Sequence, residues 1–239
     1  MSKADVLIVE GAIWAEELTA LLEHATQAEF HESLVSNFEE PEEAGAAEWV
    51  VNKRIRDTQE VELSRSISQV LDAIDRRYVS DHINPFYGVQ VRDSEPWQIL
   101  RYAAGGHYTP HVDAETLYKD EGGLDLWEKT LDRDLSVVCF LNDDFEGGEL
   151  VFPELDLTIK PRAGTAVCFP SDHHFIHGVN PVRAGCRFTA VTWMRVVGMP
   201  TPEEINAEAL DAYHRMWPKQ VEQPSRISRA GRITANGIV

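Results

Sequence analysis

Residues 98–113 have the sequence QILRYAAGGHYTPHVD, and this stretch decides the predicted fold class. Two runs rich in aromatic, β-branched and other apolar residues, 97–103 and 107–113, lie on either side of Gly105 and Gly106. Runs of this length that are bounded by glycine or proline are typical of β-strands joined by tight turns. The stretch therefore predicts two short strands with a turn between them.

The same pattern continues as far as residue 197. Glycine, proline and Asp-Asp interrupt this part of the chain and separate further short apolar runs. These runs are 134–142, 149–152, 157–160, 165–169, 174–180 and 186–197. Eight short strands with turn residues between them predict an all-β barrel or jelly roll.

Helical periodicity lies outside this β region. Apolar residues recur at helical spacing within 12–26 and 58–79, and a last helix is predicted over about 202–216. We therefore expect a mainly β protein with helical flanks, organised as one domain. Its expected parts are an N-terminal helical flank (1–95), the β core (96–197) and a C-terminal helix with a basic tail (198–239).

Composition limits the classes of function. The 239 residues include 22 Lys and Arg against 40 Asp and Glu, a formal net charge of −18. This charge repels phosphate backbones, so we expect no nucleic-acid partner. No run reaches the roughly 20 apolar residues that cross a bilayer, so we expect no membrane association. The first residues lack a signal-peptide cleavage pattern, which predicts a cytoplasmic protein. Cys139, Cys168 and Cys186 form no CxxC pair and are predicted to be reduced thiols.

Two histidines and an aspartate are the candidate metal ligands. Residues two apart in a strand point to the same face, so His111 and Asp113 can hold one ion together. A closed β fold can bring His177, from a later run, opposite them. Two imidazoles and one carboxylate leave three sites of an octahedral ion open, as in the facial triad of non-haem Fe(II) oxygenases. The neighbouring histidines that could compete for this role are His107, His173 and His174.

An arginine follows the last of these ligands on the next predicted strand. Arg187 stands ten positions after His177, and its guanidinium could bind the far end of a dicarboxylate through two parallel hydrogen bonds. Thr189 lies on the same strand face and can add a hydroxyl to the same carboxylate. The alternative is an arginine paired with a surface acid at the rim of an acidic protein.

Four stretches, in this order, resemble the prolyl 4-hydroxylase-type 2-oxoglutarate/Fe(II) oxygenases: 98–113, 133–153, 161–169 and 177–187. The resemblance covers about residues 96–197. It implies a double-stranded β-helix, which is the jelly-roll or cupin-like core, with helices packed along its outer sheet. It also implies Fe(II) as the metal, 2-oxoglutarate and O2 as co-substrates, and ascorbate as a further candidate cofactor.

The resemblance also assigns roles to individual residues. It places Fe(II) on His111, Asp113 and His177. It places Arg187 on the far carboxylate of 2-oxoglutarate, where many prolyl hydroxylases have lysine, with Thr189 beside it. The remaining family-matched positions are Tyr102, expected near 2-oxoglutarate, and Phe140, which stands where some members have a tyrosine that bonds the same carboxylate.

Two segments are candidates for substrate contacts. Residues 114–132 follow the second metal ligand directly and contain a Gly-Gly hinge. We expect them to form a loop that closes over the substrate through Tyr118 or Trp127, and the alternative is an ordinary surface excursion. Arg54 and Arg56 are expected on a second wall of the site.

The resemblance implies hydroxylation of an unactivated C–H with release of succinate and CO2. The candidate substrates are a prolyl residue, a free amino acid or a small amino-acid-derived metabolite. The expected binding partner is therefore a peptide or a small molecule. One alternative is a nucleic-acid demethylase of the same superfamily, which the acidic charge disfavours. The other is a non-catalytic metal-binding β-barrel scaffold, which the intact set of ligands together with Arg187 disfavours.

Overall fold

A computed structural model describes most of the chain, namely residues 6–37, 48–119, 123, 125–205, 226–229 and 231–234. The helices are α1 (Ala15–Gln27), α2 (Arg65–Tyr78) and α3 (Asn84–Tyr87), with a π-helical turn at Val79–Ile83 and 3-10 turns at Pro153–Leu155 and His173–Phe175. None of the described helices combines the length and the apolar character that crossing a bilayer requires.

Short strands make up the rest of the regular structure. The first eleven are β1 (Leu7–Val9), β2 (Phe30–Glu32), β3 (Val35–Asn37), β4 (Glu48–Val50), β5 (Arg56–Asp57), β6 (Gln59–Val61), β7 (Val91–Ser94), β8 (Gln98–Tyr102), β9 (His107–His111), β10 (Glu115–Lys119) and β11 (Asp125–Lys129). The others are β12 (Leu135–Phe140), β13 (Glu146–Gly147), β14 (Leu150–Phe152), β15 (Leu157–Ile159), β16 (Ala166–Pro170), β17 (His177–Val179), β18 (Val182–Ala184), β19 (Arg187–Val196), β20 (Arg226–Arg229) and β21 (Gly231–Thr234).

Two sheets form the core. The larger one has ten strands in the order β2-β6-β8-β19-β12-β16-β1-β20-β21, with β7 also paired to β19. The smaller one has five strands in the order β15-β14-β17-β9-β5. A cluster of buried apolar side chains from both sheets, including Phe140 and Phe169 from the larger and Phe152 from the smaller, lies between them. The predicted double-stranded β-helix fold is therefore confirmed.

A second apolar layer joins the helices to the outer face of the larger sheet. Strand β12 has the sequence LSVVCF and is buried along its whole length. Val138 and Phe140 face the smaller sheet, whereas Val137 and Cys139 face the helices. A strand that is covered on both faces is expected to be almost continuously apolar. Burial also raises the pKa of the Cys139 thiol, and all three cysteines are free, as predicted.

Several predicted boundaries were wrong. The segment predicted as a helix over 58–79 begins as strand β6, and α2 starts only after Ser64, whose hydroxyl accepts the Ile67 N–H at 3.4 Å as an N-cap. The run 174–180 begins in a 3-10 turn, and its strand starts at His177. Of the helix predicted over 202–216, residues 202–204 form a turn and residues 206–216 lie outside the described part of the chain.

The segment 114–132 is a β-hairpin, so the prediction of a loop was wrong. All five residues of β10 pair with β11, and Leu117 lies opposite Trp127. The base of the hairpin is fixed by Lys129, a fully buried side chain whose Nζ donates to Asp134 Oδ1 at 2.7 Å and to the Pro200 carbonyl at 2.9 Å. The Gly-Gly pair in the sequence suggested a hinge, but residues 115–119 and 125–129 on either side of it pair as antiparallel strands. Closure of the hairpin over substrate remains a prediction.

Candidate active site

Three side chains meet where β9 and β17 run side by side in the smaller sheet. His111 is the last residue of β9 and lies directly opposite His177, the first residue of β17. Asp113 lies in a bend two residues beyond β9, so it does not share a strand with His111 as predicted. The bend nevertheless turns its carboxylate inward, with Oδ1 at 3.5 Å from His111 Nε2 and Oδ2 at 3.4 Å from His177 Nε2.

Backbone carbonyls orient both imidazoles. His111 Nδ1 lies 2.9 Å from the Thr109 carbonyl oxygen, and His177 Nδ1 lies 3.0 Å from the Phe175 carbonyl oxygen. A carbonyl oxygen can only accept, so each Nδ1 carries a proton and Nε2 is the nitrogen that faces Asp113 and is placed to bind a metal ion. Burial lowers the pKa of His177 to about 4, which keeps this ring neutral near physiological pH.

Polar side chains of β12 and of the segment before it hold Asp113 in place. Ser136 donates to Asp113 Oδ2 at 2.6 Å and lies 2.8 Å from the hydroxyl of Ser171. Arg133 donates to the Asp113 carbonyl oxygen at 3.3 Å. Burial alone would raise the pKa of Asp113, but the two histidines and the Ser136 hydroxyl together hold that pKa well below its usual value. The group is therefore an anion.

This donor set fits a divalent first-row metal ion. One ligand atom from each of His111, Asp113 and His177 lies within 4.8 Å of the others, and they form the metal-ligand group found among the described residues. Two imidazoles, one carboxylate and outer hydrogen bonds that fix all three are the arrangement that Fe(II) oxygenase sites use. The competing histidines are engaged elsewhere, His107 with backbone carbonyls, His173 with Glu115 and His174 with Asp172.

A second feature of the site is a buried arginine at the start of β19. Arg187 is 1% exposed, and its Nη1 donates to Thr189 at 3.2 Å. Its Nε and Nη2 have no hydrogen-bond partner among the described residues. The guanidinium lies over the rings of Tyr102 at 4.5 Å and Phe140 at 5.5 Å. A buried charge with free donors is costly unless an anion binds it, so this pocket fits the far carboxylate of 2-oxoglutarate.

The structure brings the predicted 2-oxoglutarate residues together. Tyr102 of β8 lies directly opposite Arg187 in the larger sheet. Phe140 presents a bare ring, so the hydroxyl that some family members have at that position is absent. Gly148 leaves the room for the arginine, because a Cβ at this position would lie 2.8 Å from the Arg187 Cδ. Their roles in binding the co-substrate remain proposals.

The metal-ligand group and Arg187 line one cavity of about 1110 Å³. The hairpin forms one wall of its mouth with Leu117 and Trp127, and the segment that leads into β5 forms another with Ile55 and Arg56. Trp127 and Arg56 thus line the cavity, and their contact with substrate remains a prediction. The side chain of Tyr118 lies outside the described part of the chain.

The expectation for Arg54 was wrong. Its side chain is exposed and is not among the residues that line the cavity. The chain turns at Asn52, whose side-chain oxygen accepts the Arg54 N–H at 3.2 Å. This turn directs Ile55 and Arg56 to the cavity and leaves Arg54 in solvent.

Sequence reasoning missed three residues that support the metal ligands. Tyr108 stacks on the ring of His111 with centroids 3.6 Å apart. Arg133 lies over the Trp193 ring at 3.7 Å and forms a paired salt bridge with Glu95 at 2.7 and 2.8 Å. Ser136 had a usable signal, because it is the one polar residue in the apolar run of β12. A buried hydroxyl in such a run indicates a specific hydrogen-bond partner.

Comparisons with known proteins agree with this geometry. Residues 97–195 match the family model of the 2OG-Fe(II) oxygenase superfamily. The chain is 31% identical over 127 residues to prolyl 4-hydroxylase subunit alpha-1 of Gallus gallus, which covers 50% of this chain and 24% of that protein. It is 35% identical over 103 residues to a PKHD-type hydroxylase of Colwellia psychrerythraea, which covers 41% and 42%. The chain thus spans about a quarter of the length of the vertebrate subunits that it matches.

A solved structure shares the fold. It is a Trichoplax adhaerens prolyl hydroxylase in complex with a peptide fragment of the hypoxia inducible factor oxygen degradation domain, with a TM-score of 0.56 and 17% identity. The match covers 80% of this chain and 84% of that one. Sequence, fold and site thus point in the same direction. Residues 97–195 of this chain are thus similar to the core of the 2OG-Fe(II) oxygenase superfamily and to prolyl 4-hydroxylases within it.

Proposed function

We propose that this chain is an Fe(II)- and 2-oxoglutarate-dependent dioxygenase that hydroxylates a prolyl residue of a peptide. The observation that carries the proposal is that one cavity contains both a His-Asp-His group and a buried arginine with two unpartnered nitrogens. A metal-binding scaffold has no need of the arginine. Several of the relatives are prolyl hydroxylases, which supports the prolyl residue, and the Trichoplax protein is bound to a peptide.

The chain's own residues would bind the iron and the co-substrate, orient them and exclude water from them. His111, Asp113 and His177 would hold Fe(II), and Arg187 with Thr189 would hold the far carboxylate of 2-oxoglutarate. When bound, these groups and O2 supply the oxidising power for C–H hydroxylation, with release of succinate and CO2. The apolar residues between the two sheets keep water away from the inner end of the cavity.

The cavity favours a peptide over a free amino acid. Its volume of about 1110 Å³ exceeds what 2-oxoglutarate and a single amino acid fill, since pockets of roughly 300–1,000 Å³ bind drug-sized ligands. A free amino acid or an amino-acid-derived metabolite is therefore the less favoured substrate. Ascorbate binding and a cytoplasmic location remain predictions from the sequence.

The test is 2-oxoglutarate binding and Fe(II)-dependent succinate formation by the wild-type chain and by Arg187→Ala. Each charge-assisted hydrogen bond that is lost contributes about 1.5–3 kcal/mol, so Arg187→Ala should weaken 2-oxoglutarate binding at least about tenfold. Arg187→Lys should be partly tolerated, because the family's prolyl hydroxylases carry lysine there. Arg183→Ala is the matched control, since Arg183 is exposed four positions earlier. A wild-type chain that neither binds nor consumes 2-oxoglutarate would refute the proposal.

A further inference from the structure

A stacked column connects Arg56 to the metal-ligand group. Arg56 of β5 lies opposite Tyr108 of β9, with its Cζ 5.0 Å from the centroid of the Tyr108 ring. The Tyr108 ring in turn stacks on the His111 ring at a centroid distance of 3.6 Å and an interplanar angle of 16°. Arg56 therefore lies at the mouth of the cavity, one aromatic side chain away from a proposed iron ligand.

Neighbouring groups fix the direction of the Arg56 guanidinium. Its Nε donates to Thr58 Oγ1 at 3.0 Å, and its Nη1 donates to the Leu34 carbonyl oxygen at 3.3 Å. Both acceptors are uncharged. The Nη2 group makes no hydrogen bond within the described residues. Arg56 is thus held in place without being neutralised, and little side-chain entropy remains to be lost when it binds an anion.

The other charged side chains along the mouth of the cavity each lie within 4 Å of an acidic or basic side chain. These contacts are Glu32 with Lys53 at 3.0 Å, Glu60 with His31 at 3.9 Å, Glu115 with His173 at 2.7 Å and Arg133 with Glu95 at 2.7 Å. Arg56 has no carboxylate partner among the described residues. The mouth therefore presents a guanidinium without a carboxylate partner, in a chain whose net charge is −18.

We infer that Arg56 binds a carboxylate of the substrate, so that the substrate is an acidic peptide. The inference rests on the proposed function and names the peptide class that the same site takes. A guanidinium matches the planar geometry of a carboxylate. Because the Tyr108 ring separates Arg56 from His111, the carboxylate belongs to a neighbour of the oxidised residue and not to that residue itself. It is supplied by an Asp or Glu side chain or by the free C-terminus of the peptide.

The test measures peptide binding to the full chain loaded with Fe(II) and 2-oxoglutarate in the absence of O2, so that no turnover occurs. The probes are short peptides with one proline, in which each flanking position in turn carries Glu, Gln or Lys. Every peptide is made with a free and with an amidated C-terminus. The proteins are the wild type, Arg56→Gln, Arg56→Lys and the matched control Arg54→Gln, in which the exposed neighbouring arginine is changed.

We expect the wild type to bind a carboxylate-bearing peptide about tenfold more tightly than its uncharged counterpart. Arg56→Gln should abolish this preference, Arg56→Lys should keep part of it, and Arg54→Gln should keep all of it. A preference for Glu at one position identifies a side chain as the source, whereas a preference for the free C-terminus identifies the terminal carboxylate.

Three results would overturn the inference: equal binding of charged and uncharged peptides by the wild type, an undiminished preference in Arg56→Gln, or an equal loss in Arg54→Gln. The last result would indicate a general electrostatic field. Lack of binding by every peptide would overturn it as well. Failure of the proposed function is a separate outcome, because 2-oxoglutarate binding by the wild type is measured in the same experiment before any peptide is added.

Discussion

Replacing Ser136 with alanine is expected to weaken metal binding without unfolding the protein. The Ser136 side chain is buried, and its hydroxyl donates to Asp113 Oδ2 at 2.6 Å. A hydrogen bond to a charged group contributes about 1.5–3 kcal/mol. Since about 1.4 kcal/mol corresponds to a factor of ten, the dissociation constant for the metal should rise about tenfold to a hundredfold.

The assay is titration of the metal-free chain with Mn(II), followed by calorimetry or by the electron paramagnetic resonance signal of the free ion. Ser136→Thr keeps the hydroxyl and should restore most of the affinity. Ile74→Val is the control for a purely structural effect, because Ile74 lies in α2 on the helical side of the larger sheet. It should lower the free energy of unfolding by about 0.5–1.5 kcal/mol and leave Mn(II) binding unchanged. Equal Mn(II) affinity for Ser136→Ala and the wild type would refute the positioning role of Ser136.

Three further predictions concern co-substrate binding and stability. Gly148→Ala places a Cβ against the Arg187 side chain and should weaken 2-oxoglutarate binding, measured by titration, at least about tenfold. Gly198 has a similar positive φ, but a Cβ there would meet nothing within 4 Å, so Gly198→Ala should leave 2-oxoglutarate binding unchanged in the same titration. Lys129→Met removes the ammonium partner of the buried Asp134 carboxylate and should lower the free energy of unfolding by about 3–5 kcal/mol in denaturant titrations. Lys119→Met, which breaks an exposed pair, should change it by about 0–1 kcal/mol, and equal losses would contradict the assignment. Burial raises the pKa of Glu17, but its ion pair with an arginine of α2 outweighs this and lowers the pKa below the usual value of 4.5. The pair therefore stabilises the fold above pH 4.5, and this stabilisation is lost as the pH falls further. Glu17→Gln should flatten the acid side of the stability profile, and an unchanged slope would contradict this.

The sequence by itself determined the class of fold and the chemistry of the site. Short runs of β-branched and aromatic residues between glycines and prolines are a local signal, because strand and turn preferences are set by a few neighbouring residues. The candidate ligands are also a local signal, because the side-chain type alone says what each can bind. These residues are His111, Asp113, His177 and Arg187. Co-linear motifs around them then indicated the family.

Element boundaries and conformations depended on contacts that the sequence does not show. Residues 114–132 were predicted as a loop because their glycines are visible locally, whereas the pairing of Leu117 with Trp127 that makes them a hairpin is not. Asp113 was predicted to share a strand with His111, but pairing with β17 ends at His111 and leaves Asp113 in a bend.

Only the tertiary structure decided which residues support the site. Ser136 reaches Asp113 from 23 positions away, and Arg56 reaches Tyr108 from a separate strand of the smaller sheet. Such meetings are set by the register and order of strands, which follow from how both sheets bury their apolar faces together and not from any short stretch of chain. The candidate ligands can therefore be named from the sequence, but the residues that support them are found only where the sheets bring distant segments together.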